Sequence, residues 1–229
     1  ALFYPKGRGK WPAVLLWADI MGLRPVKREM ARRLASQGYV VLVPNPFYRS
    51  AKAPVVGPTF DFSVPENRAK VMGYRQAMTD AGIDSDSKAY LAFLDAQPQT
   101  DTKKKMGVQG YCMGGPLSFR TAAVSNGRIG AVGSFHGGGL VTANPNSPHL
   151  LIPKTNAAYL IAVAQNDDKQ RPDDKTVLKA AFEAAKRPAT VEVYAADHGW
   201  CVRGSAVYKE AEAERAWAEL TKLYKANLG

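Results

Sequence analysis

Covalent chemistry at neutral pH needs a nucleophile with a base beside it, and this chain offers few choices. It has two cysteines, Cys112 and Cys201, and three histidines, His136, His149 and His198. Cys112 stands out by its neighbours. The run Gly110-Tyr111-Cys112-Met113-Gly114-Gly115 has the form Gly-x-nucleophile-x-Gly, with cysteine in the serine position. Such a run suits a sharp strand-to-helix turn, where flanking glycines avoid clashes and the central side chain projects from the edge of a sheet. The first N–H groups of the following helix then favour negative charge there, a setting that suits a thiolate. Gly-rich turns also house inert buried cysteines, so the motif needs partners.

An elbow of this kind takes its acid after a later strand and its histidine nearer the C-terminus. Gln165-Asn166-Asp167-Asp168 follows one apolar run, and Ala195-Ala196-Asp197-His198-Gly199-Trp200 follows another. His198 would accept the thiol proton and return it to the leaving group, with Asp167 orienting the ring. Asp168 would serve equally on sequence alone, although Asp167 is favoured. Asp197 adjoins His198, and adjacent side chains seldom face each other, so it reads as structural. His136 follows a strand and could line the pocket, but it precedes the acid. His149, among prolines and asparagines, is expected to be exposed. Two backbone N–H groups must receive the oxyanion. Met113, directly after the nucleophile, and Ile20, in the loop after the first strong strand, are the expected donors.

These residues need a frame, and the hydrophobic pattern supplies one. Pro12–Trp17 and Tyr39–Val43 read as buried strands around a helix over Pro25–Gln37, in which Val26, Met30 and Leu34 recur every four residues. That is a right-handed βαβ unit with parallel strands. Pro44–Phe62 reads as a long irregular loop. Ser63-Val64-Pro65-Glu66 fits a capping box opening a helix to about Met78, and a second helix is expected over Asp84–Gln97, with Tyr90, Leu91 and Leu94 on one side. Further strands are expected at Met106–Gln109, Ile129–Phe135, Ala157–Ala164 and Thr190–Tyr194. Helices are expected over Met113–Val124 and Lys175–Ala185. A C-terminal helix should bury Ala213, Ala216, Trp217, Leu220, Leu223 and Tyr224. The alternation predicts one α/β domain over residues 1–229, with a mostly parallel central sheet and helices on both faces.

Composition narrows the function classes. The 229 residues are 46% hydrophobic and 22% charged, which excludes a disordered or fibrous chain. Lys and Arg outnumber Asp and Glu by 31 to 20, and the net charge of +11 favours anionic partners. The basic residues are scattered, with no arginine-rich arm, zinc finger or aromatic RNA-binding signature, so a nucleic-acid partner is not expected. The longest apolar stretch, Pro12–Leu23, is interrupted by Asp19, so no membrane span is expected. No leader opens the chain, which reads as cytoplasmic unless a leader has been excised. No cofactor or metal is expected, because no Gly-x-Gly-x-x-Gly run follows an early strand and the histidine spacing offers no metal cage.

Together, Asp19–Pro25 (DIMGLRP), Val43–Arg49 (VPNPFYR), Gly110–Gly115 (GYCMGG), Asn166-Asp167 and Asp197–Trp200 (DHGW) resemble the dienelactone hydrolase family over nearly the whole chain. The resemblance implies an α/β-hydrolase fold and hydrolysis of a lactone or ester. In it Cys112 is the nucleophile, His198 the base and Asp167 the acid, with Ile20 and Met113 at the oxyanion. The best-known members open a ring bearing a carboxylate and hold that carboxylate with arginines. Arg49 matches one such position; Arg203 lies near the other, but five residues after the histidine rather than four. Asp19, Tyr48, Arg49, His136 and Trp200 are the expected substrate contacts. The family often has Glu, one methylene longer, at the position of Asp19, where it touches the resting thiol. An ester or lactone is expected over an amide, because a stabilised oxygen leaving group needs little protonation. The other expectations kept open are a general carboxylesterase or thioesterase, and a binding protein on a degenerate hydrolase scaffold.

Overall fold

The computed structural model describes residues 1–229. Its strands are β1 (Leu2–Phe3), β2 (Ala13–Trp17), β3 (Val40–Leu42), β4 (Met106–Tyr111), β5 (Ile129–Phe135), β6 (Ala158–Ala164) and β7 (Ala189–Tyr194). They form one sheet in the order β1-β3-β2-β4-β5-β6-β7. Only the β1–β3 pair is antiparallel. The central strands are buried along their whole length because helices cover both faces, which is why they read as unbroken apolar runs. Alternate residues of β2 serve different cores: Ala13, Leu15 and Trp17 join one apolar cluster, Val14 and Leu16 the other.

Helices α1 (Pro25–Ser36) and α7 (Glu210–Asn227) cover the Val14 face. The opposite face carries α3 (Asp80–Asp95), α4 (Gly114–Val124) and α6 (Asp174–Ala184), and residues of all three join the Trp17 cluster. Between them in the chain lie α2 (Pro65–Gln76) and α5 (Gln165–Gln170). Trp17 is tied to α4 through Nε1–H donating to Thr121 Oγ1 at 2.9 Å, which links the end of β2 to the helix that follows Cys112. The chain leaves β2 for β3 on one side and enters β4 on the other. The loops after β2 and β4 therefore diverge at their carboxyl ends, and such a switch point opens a crevice.

Several local expectations shift. Ser63 does not cap α2: Val64 holds the N-cap position without a side-chain bond, Pro65 sets the first turn, and Ser63 donates to Asp61 instead. Helix α3 begins at Asp80, earlier than expected, because Thr79 Oγ1 accepts from Gly82 N and caps it there. In α1 the buried stripe is Lys27, Ala31, Leu34 and Ala35, with Val26 and Met30 only half-buried. His149 is half-buried rather than exposed: it sits in a 3₁₀ helix over Pro148–Lys154 and its Nδ1 pairs with Ser147 Oγ at 2.8 Å. The acidic Asp167-Asp168 pair lies in the first turn of α5, directly after β6.

Candidate active site

Cys112 joins β4 to α4 with φ at 54°, a left-handed conformation rarely adopted outside glycine. Its neighbours must be glycine for steric reasons. A Cβ on Gly110 would lie 1.9 Å from the carbonyl oxygen of Gly114, and one on Gly114 would lie 2.6 Å from that of Trp17. No larger residue fits, so the β4–α4 junction closes tightly and presents the half-buried Cys112 at the edge of the sheet.

The structure brings His198 and Asp167 together there. His198 Nδ1 meets Asp167 Oδ2 at 2.7 Å, and Cys112 lies near enough to the same ring to favour its charged form. Asn166 joins the two loops, since its Oδ1 accepts from His198 N at 2.9 Å and from Asp167 N at 3.0 Å. Burial opposes a charged His198 ring, but the bond to Asp167 and the negative charges of Asp167 and Cys112 prevail, pushing its pKa up to about 10. Asp168, one residue on, turns away to Lys175 at 2.8 Å. Asp197 accepts from Gln165 Nε2 and takes no part in the cluster.

His136 ends β5, also with a positive φ of 41°. Its ring is buried, its centroid 4.6 Å from that of His198, and the Trp200 ring stands edge-on to it at 5.2 Å. Neither ring nitrogen has a protein partner. Burial first, and then the charge of His198, hold its pKa well below the ordinary value, so His136 is neutral. His136 thus packs between His198 and Trp200.

The amides of Ile20 and Met113 donate to no acceptor within the protein. The loop bearing Ile20 is braced by Asp19, whose Oδ1 accepts from Met21 N at 3.0 Å. Asp19 is not a free side chain at the thiol: its carboxylate is buried between Arg24, at 2.6 Å, and Lys27, at 2.9 Å. Burial works against its charge, but the two cations hold the carboxyl far below the usual range. The fully buried Lys27 ammonium also lies 4.1 Å from the centre of the Tyr111 ring. Sequence reasoning missed Lys27. The signal was the i, i+4, i+7 stripe Lys27-Ala31-Leu34, which runs a lysine through the buried face.

Arg49 and Tyr48 share a partner on α3. Arg49 grips Asp86 with two bonds of 2.5 and 2.7 Å, and Tyr48 OH donates to the same carboxylate at 2.8 Å. Arg203 points elsewhere again, lining a separate cavity between α1 and α7. No three His, Cys, Asp or Glu side chains come together as a metal cage. No helix is long and apolar enough to cross a membrane.

A parallel sheet with a cysteine elbow at its switch point defines an α/β-hydrolase scaffold, and comparison with known proteins names the branch. The model of the dienelactone hydrolase family matches residues 1–228, and the chain belongs to that family. It is 25% identical over 228 residues to a Synechocystis protein named "Putative carboxymethylenebutenolidase", covering 98% of this chain and 89% of that one. It is 33% identical over 117 residues to the carboxymethylenebutenolidase of Pseudomonas sp. strain P51, covering 51% of this chain and 46% of that one. Among solved structures, the "Putative Dienelactone Hydrolase" of Klebsiella pneumoniae superposes with a TM-score of 0.81 at 24% identity, covering 97% of this chain and 90% of that one. The protein is accordingly a hydrolase of the dienelactone hydrolase type, acting on a lactone ester.

Proposed function

We propose that residues 1–229 act as one hydrolase domain in which Cys112 attacks the ester carbonyl, His198 moves the proton and Asp167 orients the ring. The Cys112 thiol proton passes to His198, and sulfur bonds to the carbonyl carbon. The resulting oxyanion is received by the N–H groups of Ile20 and Met113. Collapse of that intermediate expels the alkoxide or enolate oxygen, which takes the proton from His198, and leaves a thioester. Water, deprotonated by His198, then cleaves the thioester, releasing the acid and restoring the thiol. The observation that carries this reading is the His198 imidazole bonded to Asp167 at 2.7 Å with the positive-φ Cys112 close enough to influence its charge, while the Ile20 and Met113 N–H groups have no protein acceptor. The test is Cys112→Ala assayed on a panel of lactones and aryl esters. Hydrolysis should vanish while the melting temperature stays within a few degrees; unchanged turnover overturns the assignment.

The substrate we propose is a small lactone or ester, attracted when anionic by the net charge of +11. Arg49 is paired with Asp86 and would share or exchange that partner to hold its carboxylate. An anionic substrate should show a KM that rises with salt and a neutral analogue one that does not; equal responses would remove this part of the reading. A second reading keeps the same residues on a general carboxylesterase. Comparable kcat/KM on simple aryl esters and on lactones would establish that reading.

A further inference from the structure

Strands β4 and β5 run parallel with Tyr111 opposite Phe135, and the residue after each turns left-handed: Cys112 with φ at 54° and His136 with φ at 41°. Both stay tied to the next strand, Cys112 N donating to Phe135 O at 3.0 Å and His136 N to Ala162 O at 2.8 Å. At Cys112 the strained turn presents the sulfur. At His136 the elbow gives no such reason, and glycine would adopt the same backbone without strain.

The side chain of His136 carries a second cost. Its ring is buried, and neither nitrogen meets a partner, although burial of unpaired polar atoms is unfavourable. Both nitrogens are shut off from solvent, so the ring offers a substrate no hydrogen bond. What it does touch is His198, at a centroid distance of 4.6 Å and an interplanar angle of 59°, and Trp200, edge-on at 5.2 Å. Trp200 is itself fully buried and stacks on Tyr194 at 5.2 Å, so the row Tyr194–Trp200–His136 is a fixed wall that ends at His198.

His198 needs such a wall. It sits in the loop between β7 and α7, next to Gly199 with φ at 103°, and its ring is held by a single hydrogen bond, from Nδ1 to Asp167. One bond at one corner leaves the ring free to rock, whereas a packed neighbour restricts it. The charged groups that face His136 are His198, Lys27 and Asp19. Because burial keeps His136 uncharged, it lies against His198 without repelling the imidazolium.

We propose that His136 is a positioning residue: packed between Trp200 and His198, it fixes the His198 ring so that Nδ1 keeps its bond to Asp167 and the other nitrogen stays available to the Cys112 thiol. This inference rests on the Cys112–His198–Asp167 reading above.

The test compares His136→Ala, which removes the ring, with His136→Phe, which keeps a ring and removes its nitrogens. In His136→Ala kcat on aryl esters should fall by about 10²-fold, with KM within about twofold, because a base displaced by an ångström loses that much. His136→Phe should restore kcat to within about fivefold of the parent, since packing rather than hydrogen bonding is what the ring supplies. The second readout is the downfield Nδ1–H proton resonance of His198, recorded with Cys112→Ala in every sample and identified by its loss in Asp167→Asn. It should be present in the parent and in His136→Phe and broadened away in His136→Ala. If His136→Ala does not fold, His136→Asn, a residue at ease in the left-handed region, takes its place. Parent-like kcat in the truncated variant overturns the proposal, as does a fall in kcat with the Nδ1–H resonance intact. His136→Phe as impaired as His136→Ala also overturns it, because the nitrogens would then be what matters. Full turnover by Cys112→Ala would sink the catalytic reading instead, while the resonance, observed without catalysis, still decides whether His136 holds the ring.

Discussion

Two carboxylates at the carboxyl end of the sheet are each bound to a cation, to different ends. Asp19, after β2, is buried between Arg24 and Lys27, and burial lowers the pKa of Lys27 against the opposing pull of Asp19. Asp167, after β6, is part-exposed and faces His198, a cation that can release its proton. The first pair is fixed charge that holds the Ile20 loop in shape. The second can change charge state during a reaction. Burial and the choice of cation, rather than the carboxylate itself, separate a structural ion pair from one able to move protons.

This contrast breaks most visibly at Asp167. In Asp167→Asn the ring loses its negative partner, and kcat should fall by about 10³–10⁴-fold. Activity within tenfold of the parent on every ester tested would make Asp167 no different in kind from Asp19. Lys27→Met removes one partner of a buried pair and should cost about 3–5 kcal/mol of stability, read as a lowered urea midpoint. An unchanged midpoint would mean that Asp19 is held by Arg24 alone.

The pH dependence of the two pairs runs in opposite directions. His198 has its pKa raised on folding, so its contribution is fully present below about pH 6.5 and is lost as pH rises through about 10. Asp19 has its pKa lowered, so its contribution is present above the ordinary carboxylate range and is lost as pH falls below it. Melting temperature measured against pH should therefore lose part of its alkaline slope in Asp167→Asn and part of its acid slope in Lys27→Met. Parallel curves for both variants and the parent would contradict the distinction. The smallest effect belongs to Asp168, whose bond to Lys175 lies near the surface. Asp168→Asn should change stability by less than about 1 kcal/mol and leave kcat within twofold. A loss matching that of Asp167→Asn would reassign the acid.

Much of the frame was legible in advance. Strands β2, β4, β5, β6 and β7 are short apolar runs bounded by turn residues, and helix α7 shows its buried stripe plainly. The elbow at Cys112 was equally readable from its glycine spacing, although Gly110 answers the nearby Gly114 carbonyl while Gly114 answers the distant carbonyl of Trp17. Less legible were features that depend on which distant side chain comes to meet a residue. Arg49, in the loop after β3, reads as an open anion contact, and the structure pairs it with Asp86 on α3. Arg203 reads as a neighbour of His198 but faces the cavity between α1 and α7.

From the order of residues alone come the parallel α/β frame, the cysteine between strand and helix, and the succession of Cys112, Asp167 and His198 along the chain. Those properties rest on local periodicity, on backbone sterics at glycine, and on connectivity. Tertiary structure alone decided that His198 meets Asp167 while Asp168 turns to Lys175, that Lys27 is buried against Asp19, and that His136 is packed neutral against His198. Hydrogen bonds and ion pairs act over a few ångströms, and those distances are set by how separate elements pack.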